Sequence, residues 1–192
     1  MLLQSPIEGQ IFKMADVWFW NIPYKRNTPI KYLEIGAYLG INAISVSISY
    51  AKHPDSEIYI VDPWVVYDEY DEYKDGLDSV YKTFLRNIEA TKQSNKFKIH
   101  RGYSNEVVPK LEDNFFDMIY IDGNHSPEYV LEDAVLAFRK LKVGGYMIFD
   151  DRNWPDGPDY TQRGIDAFLL AYRDRIKDLG FNTWQQFIQK LA

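Results

Sequence analysis

The chain has no cysteine among its 192 residues, which removes disulfide frameworks and thiolate metal sites from consideration. Basic residues are the minority, 22 Lys and Arg against 28 Asp and Glu, for a formal net charge of −6. A nucleic-acid backbone wants a basic face, so such a partner is disfavoured. No run approaches the roughly 18 apolar residues of a membrane span. The N-terminus also lacks the basic-then-apolar order of a signal peptide. These absences describe a soluble, cytoplasmic protein. What is present, 46% hydrophobic and 26% charged residues, suits one globular domain over residues 1–192.

The organising stretch is Lys31 to Gly40. Tyr32, Leu33 and Ile35 make a short apolar run of the kind a strand covered on both faces has. Glu34 sits near its carboxyl end, glycines follow at 36 and 40, and helical spacing begins at Ile41. Strand, glycine turn and helix together form a cradle at the carboxyl edge of an open α/β sheet. The dinucleotide fingerprint G-x-G-x-x-G is missing, because Tyr38 stands where its middle glycine would. An acid ahead of two glycines resembles instead the first motif of class I S-adenosylmethionine (SAM) methyltransferases. That resemblance places the cofactor against Glu34, Gly36, Ala37, Tyr38 and Gly40.

Four more strands and their helices follow. Ile58 to Val61 ends in Asp62-Pro63-Trp64, where a doubly wound fold places an acid for the ribose hydroxyls; Trp64 is a candidate to lie against adenine. Phe97 to His100 leads to Gly102 and Ser104, with the Ser104 hydroxyl either capping a helix or facing the adenine side. Phe115 to Ile121 delivers Asp122-Gly123-Asn124-His125, and Ser126-Pro127 opens the next helix. Gly144-Gly145 turns the chain into Tyr146 to Phe149, which ends in Asp150-Asp151. The tail, Ile176 to Phe181 and Gln185 to Leu191, reads as an antiparallel hairpin. Residues 1–28, rich in tryptophan, read as a cap on the sheet or as a flap over substrate. The acidic run within 65–76 reads as a solvated loop or lid.

If the fourth and fifth strands are neighbours, about 4.8 Å apart, Asp122, Asp150 and Asp151 converge with no Lys or Arg in their motifs. Such packing is costly unless a cation is bound or protons are retained. Oxygen ligands suit Mg²⁺, Mn²⁺ or Ca²⁺. His125, three positions past Asp122, is placed to act as general base.

The segment Ile121 to Tyr129, with Asp133, Leu141 to Gly145 and Asp150-Asp151, resembles one branch of the SAM methyltransferases. It is the branch with an aspartate-glycine-x-histidine motif and a terminal aspartate pair. Macrocin-type and novobiocin-type sugar O-methyltransferases and cephalosporin hydroxylase-type proteins belong to it. The resemblance implies an α/β, Rossmann-like, doubly wound seven-stranded sheet of order 3-2-1-4-5-7-6 with its last strand antiparallel. It also implies Mg²⁺ or Mn²⁺ on Asp122, Asp150 and Asp151, and methyl transfer to a sugar or glycan hydroxyl with Asp122 and His125 catalytic. Alternatives are a methyltransferase acting on a phenol or amine, a non-catalytic SAM-binding domain, a nicotinamide dehydrogenase, or one domain of a larger, even virus-encoded, glycan-processing protein.

Overall fold

The structure is a computed structural model and describes residues 14–23, 28–65, 77–153 and 160–192. Seven strands form one sheet in the order β3-β2-β1-β4-β5-β7-β6. They are β1 (Lys31–Ile35), β2 (Glu57–Asp62), β3 (Phe97–Arg101), β4 (Phe116–Ile121), β5 (Leu141–Phe149), β6 (Ile176–Phe181) and β7 (Gln186–Lys190). The first five run parallel to one another, and β7 runs antiparallel to both β5 and β6. The expected topology, including the tail hairpin, is therefore found.

Alternation along the central strands sends successive side chains to opposite faces. Tyr32, Ile58, Ile60, Met118, Tyr120 and Ile148 join one core with α1 (Ile41–Ile48), α2 (Leu77–Ala90) and a 3₁₀ helix at Met14–Trp20. Leu33, Ile35, Ile119, Ile121, Met147 and Phe149 join the other with α4 (Pro127–Lys140) and α5 (Tyr160–Tyr172). A short α3 (Ser104–Val107) follows β3. Because both faces are covered, β1 and β4 read as apolar runs.

In the 3₁₀ helix Trp18 is fully buried and stacks on Tyr120 at 5.3 Å between ring centroids, whereas Trp20 is 92% exposed. Residues 1–13 and 24–27 of the expected cap and 66–76 of the expected acidic lid lie outside the described residues.

One boundary corrects the sequence reading. β5 begins at Leu141, so Gly144 and Gly145 lie inside a strand. Phe116 faces Leu141 while Met118 faces Tyr146, a shift that absorbs the extra residues as a bulge. Gly144, at φ 82°, takes the left-handed conformation there. α4 consequently runs into β5 without a loop, and Lys190 from β7 donates to the carbonyls of Phe138 in the last turn (3.0 Å) and of Leu141, the C-cap (2.7 Å). A buried ammonium at that helix end satisfies both the orphan carbonyls and the dipole.

Candidate active site

The turn after β1 is pinned by contact with the turn after β4. The Asp122 N–H donates to Ile35 O (2.8 Å), and a Cβ on Gly36 would stand 1.9 Å from the Asp122 carbonyl oxygen. Gly36 also has φ 79°, so only glycine fits there. Gly40 shares that φ and gives its Cβ space to Phe84 of α2. Asp62 ties the turn to β2. Its Oδ2 accepts from the N–H groups of Ala37 (2.8 Å) and Tyr38 (3.0 Å), and its Oδ1 from Trp64 (2.7 Å). Burial raises the Asp62 carboxyl against the pull of these three donors.

A cavity of about 360 Å³ opens over this cradle, lined among others by Gly36, Pro63, Ser104, Gly123, Asn124 and Asp133. It is the size of a small ligand's pocket. Several sequence candidates stand apart from it. Glu34 is 1% exposed and lies on the opposite face of β1, where Oε2 accepts from the Tyr32 hydroxyl (2.5 Å) and from Asn42 (2.9 Å). Loss of solvation pushes its carboxyl up to about 8, despite those bonds and one from Ala43 N–H. Glu34 thus braces β1 against the start of α1 and is not part of the cavity wall. Trp64, expected against adenine, is 2% exposed, packs on Tyr81 and Phe84 at 4.7 Å each, and donates its indole N–H to Tyr38 O. Gly102 donates to Asp62 O (3.1 Å), holding β3 beside the site. Tyr103, not Ser104, occupies the cap position of α3, and the Ser104 hydroxyl bonds instead to Asp133.

At the same edge Asp122, His125 and Asp151 each present a ligand atom, all within 4.8 Å of one another. His125 Nε2 is 2.9 Å from Asp151 Oδ2. Asp151 takes φ 52° to reach this position. The expected ligand Asp150 is not in this triad. It accepts a short hydrogen bond from the Tyr120 hydroxyl, to which Gln185 also donates (3.2 Å), while Trp18 Nε1 donates to Gln185 Oε1 (2.9 Å). His125 thus stands beside two of the expected ligands, Asp122 and Asp151, while Asp150 gives one oxygen to the Tyr120 phenol and borders the same small void. A void of about 10 Å³ touches Asp122, His125, Asp150 and Asp151, room for about one water-sized body. Burial and the charges of Asp150 and Asp151 hold the Asp122 carboxyl well above the usual carboxylate range. Burial, with Asp151 second, pushes Asp150 up to about 6. Two carboxylates and an imidazole around so small a space fit a divalent ion.

Sequence reasoning missed Tyr120, Gln185, Tyr32 and Asn42, the buried polar partners of the site's acids. Tyr120, two residues before Asp122, and Tyr32, two before Glu34, left a signal, since such spacing puts each on the face of the acid that follows.

Known proteins place this geometry. The methyltransferase-domain family matches residues 33–152, from β1 through the turn after β5, and the chain belongs to that family. The O-methyltransferase TomG from Streptomyces achromogenes, solved with SAM, has a TM-score of 0.69 at 17% identity, over 94% of this chain and 79% of that one. An O-methyltransferase from Bacillus cereus, solved with SAH, gives 0.65 at 15% identity, over 97% of this chain and 82% of that one. At these identities the likeness is one of fold. Uncharacterized protein R132 of Acanthamoeba polyphaga mimivirus is 28% identical over 125 residues, 64% of this chain. The match spans 51% of that relative's length.

Proposed function

We propose that the chain is a SAM-dependent O-methyltransferase that acts on a hydroxyl of a sugar or glycan, works as a single domain, and uses a divalent metal. One observation carries the reading: the cavity over Gly36 and the Asp122–His125–Asp151 triad share one sheet edge, with Gly123 and Asn124 lining both hollows. Family membership supports methyl transfer. The SAM and SAH complexes of TomG and the Bacillus cereus enzyme, at the same fold, support the cofactor. The sugar acceptor rests on the resemblance carried by Asp122 to Pro127 and the terminal aspartate pair.

In this reading the Gly36–Gly40 turn receives the methionine part of SAM, Asp62 the ribose hydroxyls, and Gly102 with Ser104 the adenine end. Asp122 and Asp151, with the remaining oxygen of Asp150 beside them, would hold Mg²⁺ or Mn²⁺, and His125 stands next to that ion. When bound, such an ion lowers the pKa of a coordinated hydroxyl. The chain's own work is to align the acceptor oxygen in line with the sulfonium methyl. As the O–C bond forms the C–S bond breaks, the sulfonium becomes a neutral thioether, and the acceptor's proton passes to His125 or an aspartate oxygen.

EDTA should abolish transfer to a neutral sugar acceptor, and Mn²⁺ should restore it. Asp151→Ala should lose at least about 100-fold in kcat, with SAH affinity by calorimetry within about twofold of wild type. The 2.9 Å His125–Asp151 contact favours a second reading, an imidazole oriented by Asp151 as base without any ion. Full activity in EDTA combined with loss in His125→Ala selects it. Turnover confined to phenols or amines removes the sugar from the account, and SAH binding without transfer to any acceptor leaves a binding domain.

A further inference from the structure

One oxygen of Asp150 is claimed by a chain of buried groups that starts in the 3₁₀ helix. Trp18 and Tyr120 are fully buried, and Gln185 and Asp150 nearly so. The direction of every bond in the chain follows from the first. An indole N–H can only donate, so the 2.9 Å contact from Trp18 Nε1 fixes the facing atom of Gln185 as its carbonyl oxygen. Asn182 agrees. Its own oxygen accepts from the N–H groups of Trp184 (2.9 Å) and Gln185 (2.7 Å), so its nitrogen is the atom 3.5 Å from the same Oε1. The Gln185 amide nitrogen is then the end that faces the Tyr120 oxygen, at 3.2 Å, and it donates there. With its oxygen serving as acceptor, the phenol gives its single proton to Asp150 Oδ2. The Asp151 N–H and the Gln185 amide act on the same carboxyl, which borders the void of about 10 Å³ shared with Asp122, His125 and Asp151.

A carboxylate can meet a cation through one oxygen or through both. Ca²⁺ takes about six to eight oxygens in a flexible shell and accepts bidentate carboxylates. The smaller Mg²⁺ demands a near-ideal octahedron, which two closely spaced oxygens of one carboxylate fit badly. Resting on the metal reading above, we infer that Trp18, Gln185 and Tyr120 are positioning residues that hold Asp150 to a single free oxygen, and so set the site against Ca²⁺ in favour of a smaller ion. The N-terminal 3₁₀ helix thereby reaches the ion site through three side chains, without touching the ion itself.

The test is displacement of bound Mn²⁺, read by electron paramagnetic resonance, with Mg²⁺ or Ca²⁺ as competitor at about pH 8. Wild type should release Mn²⁺ to Mg²⁺ more readily than to Ca²⁺. Tyr120→Phe keeps the ring against Trp18 and deletes the O–H, and should shift the ratio of the two competition constants toward Ca²⁺ by about tenfold. Gln185→Glu keeps the phenol but offers its proton a rival carboxylate, and should shift the ratio the same way. The added charge strengthens both ions together, so the ratio is the readout. A cooperative thermal transition confirms that each variant folds, and either one alone decides. An unchanged ratio, equal weakening of both ions, or a wild type that yields to Ca²⁺ as readily as to Mg²⁺ overturns the inference and leaves the chain a structural tie between helix and sheet. A wild type that binds no Mn²⁺, or an Asp151→Ala variant that binds it undiminished, means that the metal reading itself has failed, and this inference with it.

Discussion

At the scale of single residues, the site's geometry is decided by what a backbone can tolerate. Gly36 and Gly144 both have φ near 80°, yet their surroundings differ. A Cβ at Gly36 meets the Asp122 carbonyl at 1.9 Å, whereas at Gly144 nothing lies within 4 Å. Gly144→Ala should therefore cost only the left-handed strain of roughly 1–2 kcal/mol. Gly36→Ala adds a clash with a backbone that cannot yield without parting β1 from β4, and should cost at least about 3 kcal/mol. Urea denaturation of the two variants checks the order, and equal costs would mean that the two turns do not touch. Glu34 makes a second prediction, in pH. The ionisable groups acting on it are the Tyr32 phenol and the carboxyls of Asp62 and Asp122. Its folded carboxyl titrates near 8 against about 4.5 when unfolded, so unfolding releases a proton between those values. The stabilising contribution is complete below pH 4.5 and is lost as pH rises toward 8. Glu34→Gln should remove one proton's worth of that fall in Tm across pH 5 to 8. Part of the fall should persist, because Asp133 and Asp150 are also raised, to about 7 and about 6. An unchanged slope would contradict the buried, proton-holding Glu34.

At the scale of elements, legibility followed locality. The Phe115–Ile121 run and the Asp122-to-Pro127 turn were readable because strand periodicity and helix-start chemistry are short-range signals, and β4 and α4 fall where those signals put them. The start of β5 was not readable. Two adjacent glycines signal a turn, but here they serve a bulge whose need arises in the neighbouring strand. The orientation of Asp150 was equally hidden, since it depends on Tyr120 and Gln185 from two other strand ends. The Met14–Trp20 helix joins that same chain of contacts. Trp18 Nε1 donates to Gln185, Ala15 N–H donates to Ser45 Oγ (3.1 Å), and Asn21 reaches Leu179 O (3.0 Å). Trp18→Ala should open a large cavity against Tyr120 and cost about 3–5 kcal/mol. Trp18→Phe keeps the ring contact but removes the shorter of two bonds to Gln185 Oε1, leaving Asn182 Nδ2 at 3.5 Å, for about 1 kcal/mol. Denaturation midpoints measure both. A loss below about 0.5 kcal/mol in Trp18→Ala would make the segment a flap resting on the sheet and not a part of its core.

At the scale of the molecule, the sheet order was legible through its resemblance to a family, while the acceptor is written in no single residue. What the whole chain does offer is its field. A net charge of −6 combines with Asp151 at the carboxyl edge and Glu106 and Glu132 around the 360 Å³ cavity. An anionic acceptor approaching that edge meets like charge over distances comparable to the Debye length, roughly 10 Å at 0.1 M salt. The neutral sugar should therefore outperform its own phosphate ester at low ionic strength, and the two should respond differently to salt. Between 20 and 200 mM KCl, kcat/KM for the neutral acceptor should stay within about twofold, since no net charge is screened. For the phosphate ester it should begin lower and climb several-fold, because screening weakens repulsion during encounter and leaves the chemistry untouched. Initial rates at subsaturating acceptor with saturating SAM separate the two. A phosphate ester that is the better substrate at low salt, and slows as salt is added, would mean that a local basic contact overrides the acidic rim and that the acceptor is anionic.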